Sequence, residues 1–205
     1  IFGGPQVPNR SNDFFEKYPF VDILVHGEGE IVLENILLEF KNGKDFSNIN
    51  GIETKDFLNK PQPRIKDVNT LPSPYLSNVI WDLVDEKPGI KYIAAWETNR
   101  GCPYPCTFCD WGSLTDSKLT SWSEEILFKE IDWFGKNKIP YIDCCDANFG
   151  IFQKRDHNLA KKLKEVSLEK GSPERFRAAW AKFASEKIIP IAKTLQDGGV
   201  LKAVS

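Results

Sequence analysis

The sequence predicts an α/β protein built on parallel strands. Three observations carry this. Across residues 91–205, β-branched and aromatic runs alternate with apolar residues at helical spacing. Residues 1–45 show the same order of strand, Gly-rich turn and helix. Residues 46–90, between them, are broken by Pro61, Pro63, Pro72, Pro74 and Pro88 and lack sustained periodicity, so they read as a connector.

In chain order, Phe2-Gly3-Gly4-Pro5 ends a strand in a Gly-rich turn. Residues 11–17 form a short helix capped by Ser11 or Asn12. Val21-Asp22-Ile23-Leu24-Val25 is a β-branched apolar run and reads as a buried strand. His26-Gly27-Glu28-Gly29-Glu30 turns the chain into a helix with Ile36, Leu37 and Phe40 on one face and Gly43 past its end. After the connector, 92–96 is a strand. Ser121-Trp122-Ser123-Glu124 has capping-box spacing before a helix carrying Leu127, Ile131 and Phe134. Residues 141–145 form the second strand, following Pro140. Leu159, Leu163 and Val166 mark the second helix, which stops near Gly171. Residues 176–180 form the third strand. The third helix runs to about Gln196, with Pro190 in or near its first turn and Gly198-Gly199 as its stop. Residues 200–205 open a fourth strand. Parallel strands joined by helices demand right-handed crossovers. A complete eightfold barrel needs ~250 residues, so residues 91–205 are half a barrel or an open sheet cut short.

Composition narrows the function classes. With 41% apolar and 12% aromatic residues among 205, the chain has a core and is not disordered. A net charge of −2 argues against a nucleic-acid partner. No apolar run approaches the ~18 residues of a membrane span, and no signal peptide opens the chain, so neither a membrane nor secretion is expected and the location reads as cytoplasmic. Met is absent and Ile1 opens the chain, which suggests an internal piece of a longer protein, inactive by itself because half a barrel leaves strand edges and pocket walls open.

Chemistry concentrates in the cysteines. There are five: Cys102, Cys106, Cys109, Cys144 and Cys145. An odd number without a secretory signal argues against a disulfide framework. Cys144 and Cys145 are strand neighbours that point to opposite faces, and both read as small core residues. The other three lie in Arg100-Gly101-Cys102-Pro103-Tyr104-Pro105-Cys106-Thr107-Phe108-Cys109, directly after a strand, where parallel α/β folds build active sites. Three thiolates on one short loop suit an iron–sulfur cluster, and three ligands leave one of four irons open to a small molecule. Pro103 and Pro105 stiffen the loop. A closed zinc or electron-transfer site remains open if Cys144 or Cys145 supplies a fourth ligand. His26 and His157 lie far off in sequence.

With Phe108 before the last Cys, Cys102-x3-Cys106-x2-Cys109 resembles the cluster loop of the radical S-adenosylmethionine (radical SAM) superfamily. The resemblance implies a 4Fe-4S cluster on these cysteines, S-adenosylmethionine chelated to the open iron, and its reductive cleavage to methionine and a 5′-deoxyadenosyl radical. It also implies a partial (β/α)6 barrel whose first half is residues 91–205, with the backbone near Phe108 against the adenine. Asp146-Ala147-Asn148-Phe149-Gly150 departs from the Gly-Gly-Glu stretch of many members and resembles a variant of cobalamin-dependent ones. Asn148, Phe149 and Gly150 are therefore candidate S-adenosylmethionine contacts, with a plain Asx turn as the alternative. Phe2-Gly3-Gly4-Pro5 and residues 21–30 are similar to the C-terminal part of a Rossmann-like cobalamin-binding domain. That resemblance implies that Gly3 and Gly4 line the pocket for the cobalamin tail, with a plain Gly turn after a strand as the alternative; for Glu28 and Glu30 the alternative is that they are simply helix N-terminal acids. Trp111-Gly112-Ser113 reads as close to the site, with Trp111 shielding the cluster, stacking on substrate or filling the core.

The expectation is thus a radical SAM enzyme using cobalamin, most simply a methyltransferase acting on a small molecule or peptide, with a flavodoxin or ferredoxin as reductant. A cobalamin-dependent cyclase or oxidoreductase, a non-catalytic module with a closed four-ligand metal site, and a tRNA-modifying enzyme are the alternatives. The acidic balance disfavours the last.

Overall fold

The computed structural model describes residues 1–4, 6–8, 11, 13–43, 45–84, 89–109, 118–182 and 185–201. Pro5, Asn12, Pro88, the Trp111-Gly112-Ser113 stretch and residues 202–205 of the expected fourth strand lie outside the described residues. The chain divides into two units, residues 1–66 and the residues from Asp67 onward.

In the first unit, β1 (Leu24–Val25) pairs antiparallel with β2 (Ile52–Glu53), so part of the Pro-punctuated stretch joins a sheet. Phe2 bridges in parallel to Leu24: its N–H donates to the Ile23 carbonyl at 2.8 Å, and its own carbonyl accepts from Val25 N–H at 2.8 Å. Helix α1 (Phe14–Lys17) starts after Asp13, which makes no side-chain cap. Helix α2 (Glu30–Asn42) ends at Gly43, as the sequence requires. Two expectations are corrected. The strand expected over 21–25 is confined to Leu24–Val25, although Val21 and Ile23 are buried. The buried stripe of α2 is Val32 and Ile36, at i and i+4, while Leu37 and Phe40 are 54% and 45% exposed. Strands two residues long cover only one stripe of a helix. Phe40 packs instead on Phe46, with ring centroids 5.1 Å apart.

The second unit opens with a 3-10 turn over Val68–Thr70, capped by the Asp67 carboxylate on Asn69 N–H at 3.0 Å, and a short helix α3 (Val79–Leu83). Its sheet is β3 (Ile93–Trp96), β6 (Tyr141–Phe149) and β7 (Arg175–Trp180), in that order and all parallel. Between β3 and β6, β4 (Asn99–Arg100) and β5 (Thr120–Ser121) make a two-residue antiparallel ladder, followed by α4 (Glu124–Lys136). Helices α5 (Gln153–Lys170) and α6 (Ser185–Asp197) follow β6 and β7.

Strand alternation puts Ala94, Trp96, Ile142, Cys144, Phe176 and Ala178 on one face. That face packs with Leu127, Ile131 and Phe134 of α4, Leu159 and Leu163 of α5, and Ile191 and Leu195 of α6 in one core. All three helices therefore lie on the same side of the sheet. Ile93, Ala95, Cys145, Arg175 and Arg177 are exposed on the other side.

Local expectations fail here for identifiable reasons. Ser123, not Ser121, caps α4 by accepting from Ile126 N–H at 3.4 Å, because Ser121 is used in the β5 ladder. Strand β6 does not stop at 145 but runs to Phe149, with a register slip between Cys144 and Phe149. Pro190 falls in the second turn of α6, next to the first, within the expectation. Val200 and Leu201 are buried but in no strand; the Val200 carbonyl accepts Phe176 N–H at 2.8 Å.

Candidate metal and cofactor site

The Cys-rich loop leaves β4, whose first residue is fixed before the loop starts. Four donors converge on the buried Asp146 carboxylate from β6: Thr98 N–H at 2.7 Å, the Thr98 hydroxyl, Asn99 N–H at 3.0 Å and the Asn99 amide at 2.6 Å. Burial pushes Asp146 up to about 6, against the pull of these donors and of Arg155. Arg155 of α5 donates to the Thr98 carbonyl at 2.8 Å and hydroxyl at 2.9 Å, and pairs with buried Asp156 at 2.6 Å. Asp156 in turn accepts Gly150 N–H at 2.7 Å and Phe152 N–H at 3.1 Å. One buried polar chain thus joins the entry to the Cys loop, the end of β6 and the start of α5. Sequence reading missed Thr98, Asn99, Arg155 and Asp156. The only signal was two adjacent opposite charges opening a helix.

Gly101 then turns the chain at φ 106°, and a Cβ there would stand 2.6 Å from the Lys118 carbonyl oxygen. Only glycine fits both conditions. Cys102 is buried, Cys106 and Cys109 are partly exposed, and all three are free thiols. Cys109 N–H returns to the Cys106 carbonyl at 3.2 Å, closing a turn between the two. A cavity of about 560 Å³ lies over the C-terminal halves of β6 and β7, bordered by Cys102, Cys109, Cys145, Asp146, Arg177 and Lys182 among others.

Asn148 is buried on β6 and donates its amide to the Cys102 sulfur at 3.1 Å. Its side-chain oxygen is buried with no partner among the described residues. Gly150 follows at φ 96° with its N–H on Asp156. Phe149 between them is a core residue, its ring 5.1 Å from Phe176 and 5.8 Å from Trp180. Phe108 is 83% exposed on the loop. Lys182, just past β7 and also missed from the sequence, reaches the loop with its Nζ 3.5 Å from the Cys106 sulfur and 5.4 Å from the Phe108 ring centre.

The remaining cysteines divide. Cys144 faces the helices as expected, and burial pushes its thiol well up. Cys145 is exposed on the open face, so the expectation that both are core residues is corrected. Burial and then Asp143 raise its thiol too. Both border the cavity, which spans the irregular stretch of β6. His157 bonds Thr194 at 3.1 Å on the helix side, and His26 bonds Glu53 at 2.9 Å in the first unit. Among the described residues, no three His, Cys, Asp or Glu side chains stand close enough to share a single metal ion. A four-iron cluster does not ask for that, since each thiolate binds a separate iron.

In the first unit, Gly3 and Gly4 are exposed just after the Phe2 bridge, and a Cβ at Gly4 would meet open space. Glu28 accepts Ile65 N–H at 2.6 Å, whereas Glu30 opens α2. No helix among the described residues is long and apolar enough to cross a membrane.

No protein-family model matches the chain. The chain is 39% identical, over 98% of its length, to the cobalamin-dependent radical SAM methyltransferase TokK of Streptomyces tokunonensis. It is 38% identical, again over 98%, to a 2-(S-pantetheinyl)-carbapenam-3-carboxylate methyltransferase of Streptantibioticus cattleyicolor. The chain is a homologue of the cobalamin-dependent radical SAM methyltransferases. It spans 30% of the length of each of these relatives. A solved structure of the cobalamin-dependent S-adenosylmethionine radical enzyme OxsB, with aqua-cobalamin and S-adenosylmethionine bound, superposes over 97% of this chain and 29% of its own, with a TM-score of 0.61 at 21% identity. This homology matches the mixed α/β fold with a parallel sheet expected from the sequence.

Proposed function

We propose that this chain is the part of a cobalamin-dependent radical SAM methyltransferase that carries the cluster loop and the end of the cobalamin domain. In this reading residues 1–45 end a Rossmann-like cobalamin-binding domain, 46–90 connect, and 91–205 are the first half of a partial (β/α)6 barrel. The position of α4, α5 and α6 on one face of a parallel sheet supports the barrel, since doubly wound sheets carry helices on both faces.

The observation that carries the proposal is the Cys102–Cys106–Cys109 loop over the C-terminal sheet end, with Asn148 bonded to the Cys102 sulfur. The residues fit the group: three free thiols on one loop, two of them (Cys102 and Cys109) bordering the cavity, and a buried Asn148 oxygen without a partner among the described residues. Cys102, Cys106 and Cys109 would hold a 4Fe-4S cluster, with Phe108, Asn148, Phe149 and Gly150 around S-adenosylmethionine. Gly3 and Gly4, exposed and free of side chains, fit the approach of cobalamin. Bound there, the cluster supplies the electron that cleaves S-adenosylmethionine, and cobalamin supplies a methyl carrier.

The chain's own residues orient these groups. Asp146, Arg155 and Asp156 fix the loop entry against the Gly150 turn. Asn148 holds the Cys102 sulfur and offers its free oxygen to a donor such as an amino group. Phe149 keeps the turn rigid by packing in the core. The substrate is a small molecule or peptide, the reductant a flavodoxin or ferredoxin, and the location cytoplasmic.

Low-temperature EPR of the anaerobically reconstituted full-length protein tests this. A reduced four-iron signal that changes when S-adenosylmethionine is added is expected. A signal indifferent to it, or one lost when Cys144 and Cys145 are both replaced by Ala, would mean a closed four-ligand site and overturn the enzyme reading. A labelled methyl group carried from S-adenosylmethionine to product separates methylation from ring formation or oxidation.

A further inference from the structure

Lys182 touches the Cys-rich loop at three points. Its backbone carbonyl accepts the Tyr104 hydroxyl at 2.9 Å, its Nζ stands 3.5 Å from the Cys106 sulfur, and the same Nζ lies 5.4 Å from the centre of the Phe108 ring. The backbone beneath it is fixed, because Ala181 N–H donates to the Phe149 carbonyl at 2.9 Å. A long, solvated side chain gains little from folding back over a loop unless something there favours its charge. The aromatic face and the sulfur are both such partners.

We infer that Lys182 sets the reduction potential of the cluster by holding a cation and a hydrogen-bond donor against the Cys106 thiolate. This rests on the cluster reading above. Reduction adds one negative charge to a group already carrying three thiolates. A cation at hydrogen-bond distance from one sulfur stabilises the reduced form more than the oxidised form, so the potential rises. Hydrogen bonds to cluster sulfurs and nearby charge are the levers a protein has on such a group. Asn148 supplies the neutral counterpart at Cys102, so two of the three sulfurs carry a donor of different charge.

The test is a redox titration, followed by EPR, of the full-length protein reconstituted anaerobically with iron and sulfide, without S-adenosylmethionine or substrate. Each step passes one electron from dithionite to the oxidised cluster, with no proton or bond exchanged. Lys182→Met is expected to lower the equilibrium constant for reduction about tenfold, which is ~59 mV for one electron. Lys182→Arg keeps the charge and the donor and is expected to stay near the wild type. A Lys182→Met protein with full iron content and an unchanged potential would overturn the inference, because a purely structural contact leaves the potential alone. Where Lys182→Met loads too little iron, Lys182→Gln carries the measurement: a smaller fall supports the role, and no fall overturns it. A wild-type protein that takes up no iron is a different result, which overturns the cluster reading itself.

Discussion

Asp146 is the residue on which the site is hung. Its carboxylate accepts four donors from Thr98 and Asn99, yet burial still pushes it up to about 6 from the ordinary 3.8. The folded state therefore binds a proton between these values that the unfolded state does not. The contribution of this group to stability is greatest at low pH and falls as pH rises through 6. Asp146→Asn removes that slope. The stability gap between wild type and Asp146→Asn, measured by urea unfolding, is expected to be about 1 kcal/mol larger near pH 5 than near pH 7.5. An equal gap at both would contradict the raised value. Arg155 faces a different cost. It bridges Thr98 and Asp156, so Arg155→Met leaves the fully buried Asp156 without its cation. A loss of about 3–5 kcal/mol in unfolding free energy is expected, with part recovered in Arg155→Lys. Asp146 lay in the stretch singled out in the sequence but carried no role there, and Arg155 did not stand out, because a single Asp in a strand or Arg at a helix start is ordinary. Only the partners 48 and 57 positions away make them essential.

Among the elements, helices were the most legible. The spacing of Leu127, Ile131 and Phe134, and of Leu159, Leu163 and Val166, put these residues in the core they form. Gly43 and Gly171 stop α2 and α5 as the sequence indicates. Ends tied to tertiary pairing were less legible. Ser121 has the spacing of a cap, but pairing with Asn99 takes it into β5 and leaves the role to Ser123. Strand β6 outruns its apolar run because Asp146 and Asn148 find buried partners that a sequence window cannot contain. Two expectations follow at this scale. Leu163→Ala, at a fully buried position in α5, is expected to cost about 2–5 kcal/mol in thermal or urea unfolding. Gly101→Ala meets both a positive φ and the Lys118 carbonyl. It is expected to cost about 1–3 kcal/mol and to lower the iron loaded per chain, measured by iron and sulfide analysis.

For the molecule as a whole, the two units carry separate candidate sites, Gly3-Gly4 in the first and the three cysteines in the second. Their ligands should therefore be separable. In the full-length protein, Cys102→Ala is expected to cut iron content severalfold while cobalamin uptake, read from its visible absorbance, stays near wild type. Gly4→Val, placing a branched side chain at φ 89°, is expected to do the reverse. Loss of both ligands in either variant would argue against two independent sites. The sequence by itself determined the α/β class and the helix cores, and it carried the three-cysteine loop and the family resemblance, because each is written in neighbouring residues: a 3.6 period, a Gly stop, a three-cysteine spacing. Tertiary structure alone decided which face of the sheet the helices cover, which cysteine of the Cys144-Cys145 pair is buried, and that Lys182 reaches Cys106 across 76 positions. Such contacts join strands through parallel crossovers, and nothing local in the chain specifies which distant side chain completes a buried charge or approaches a sulfur.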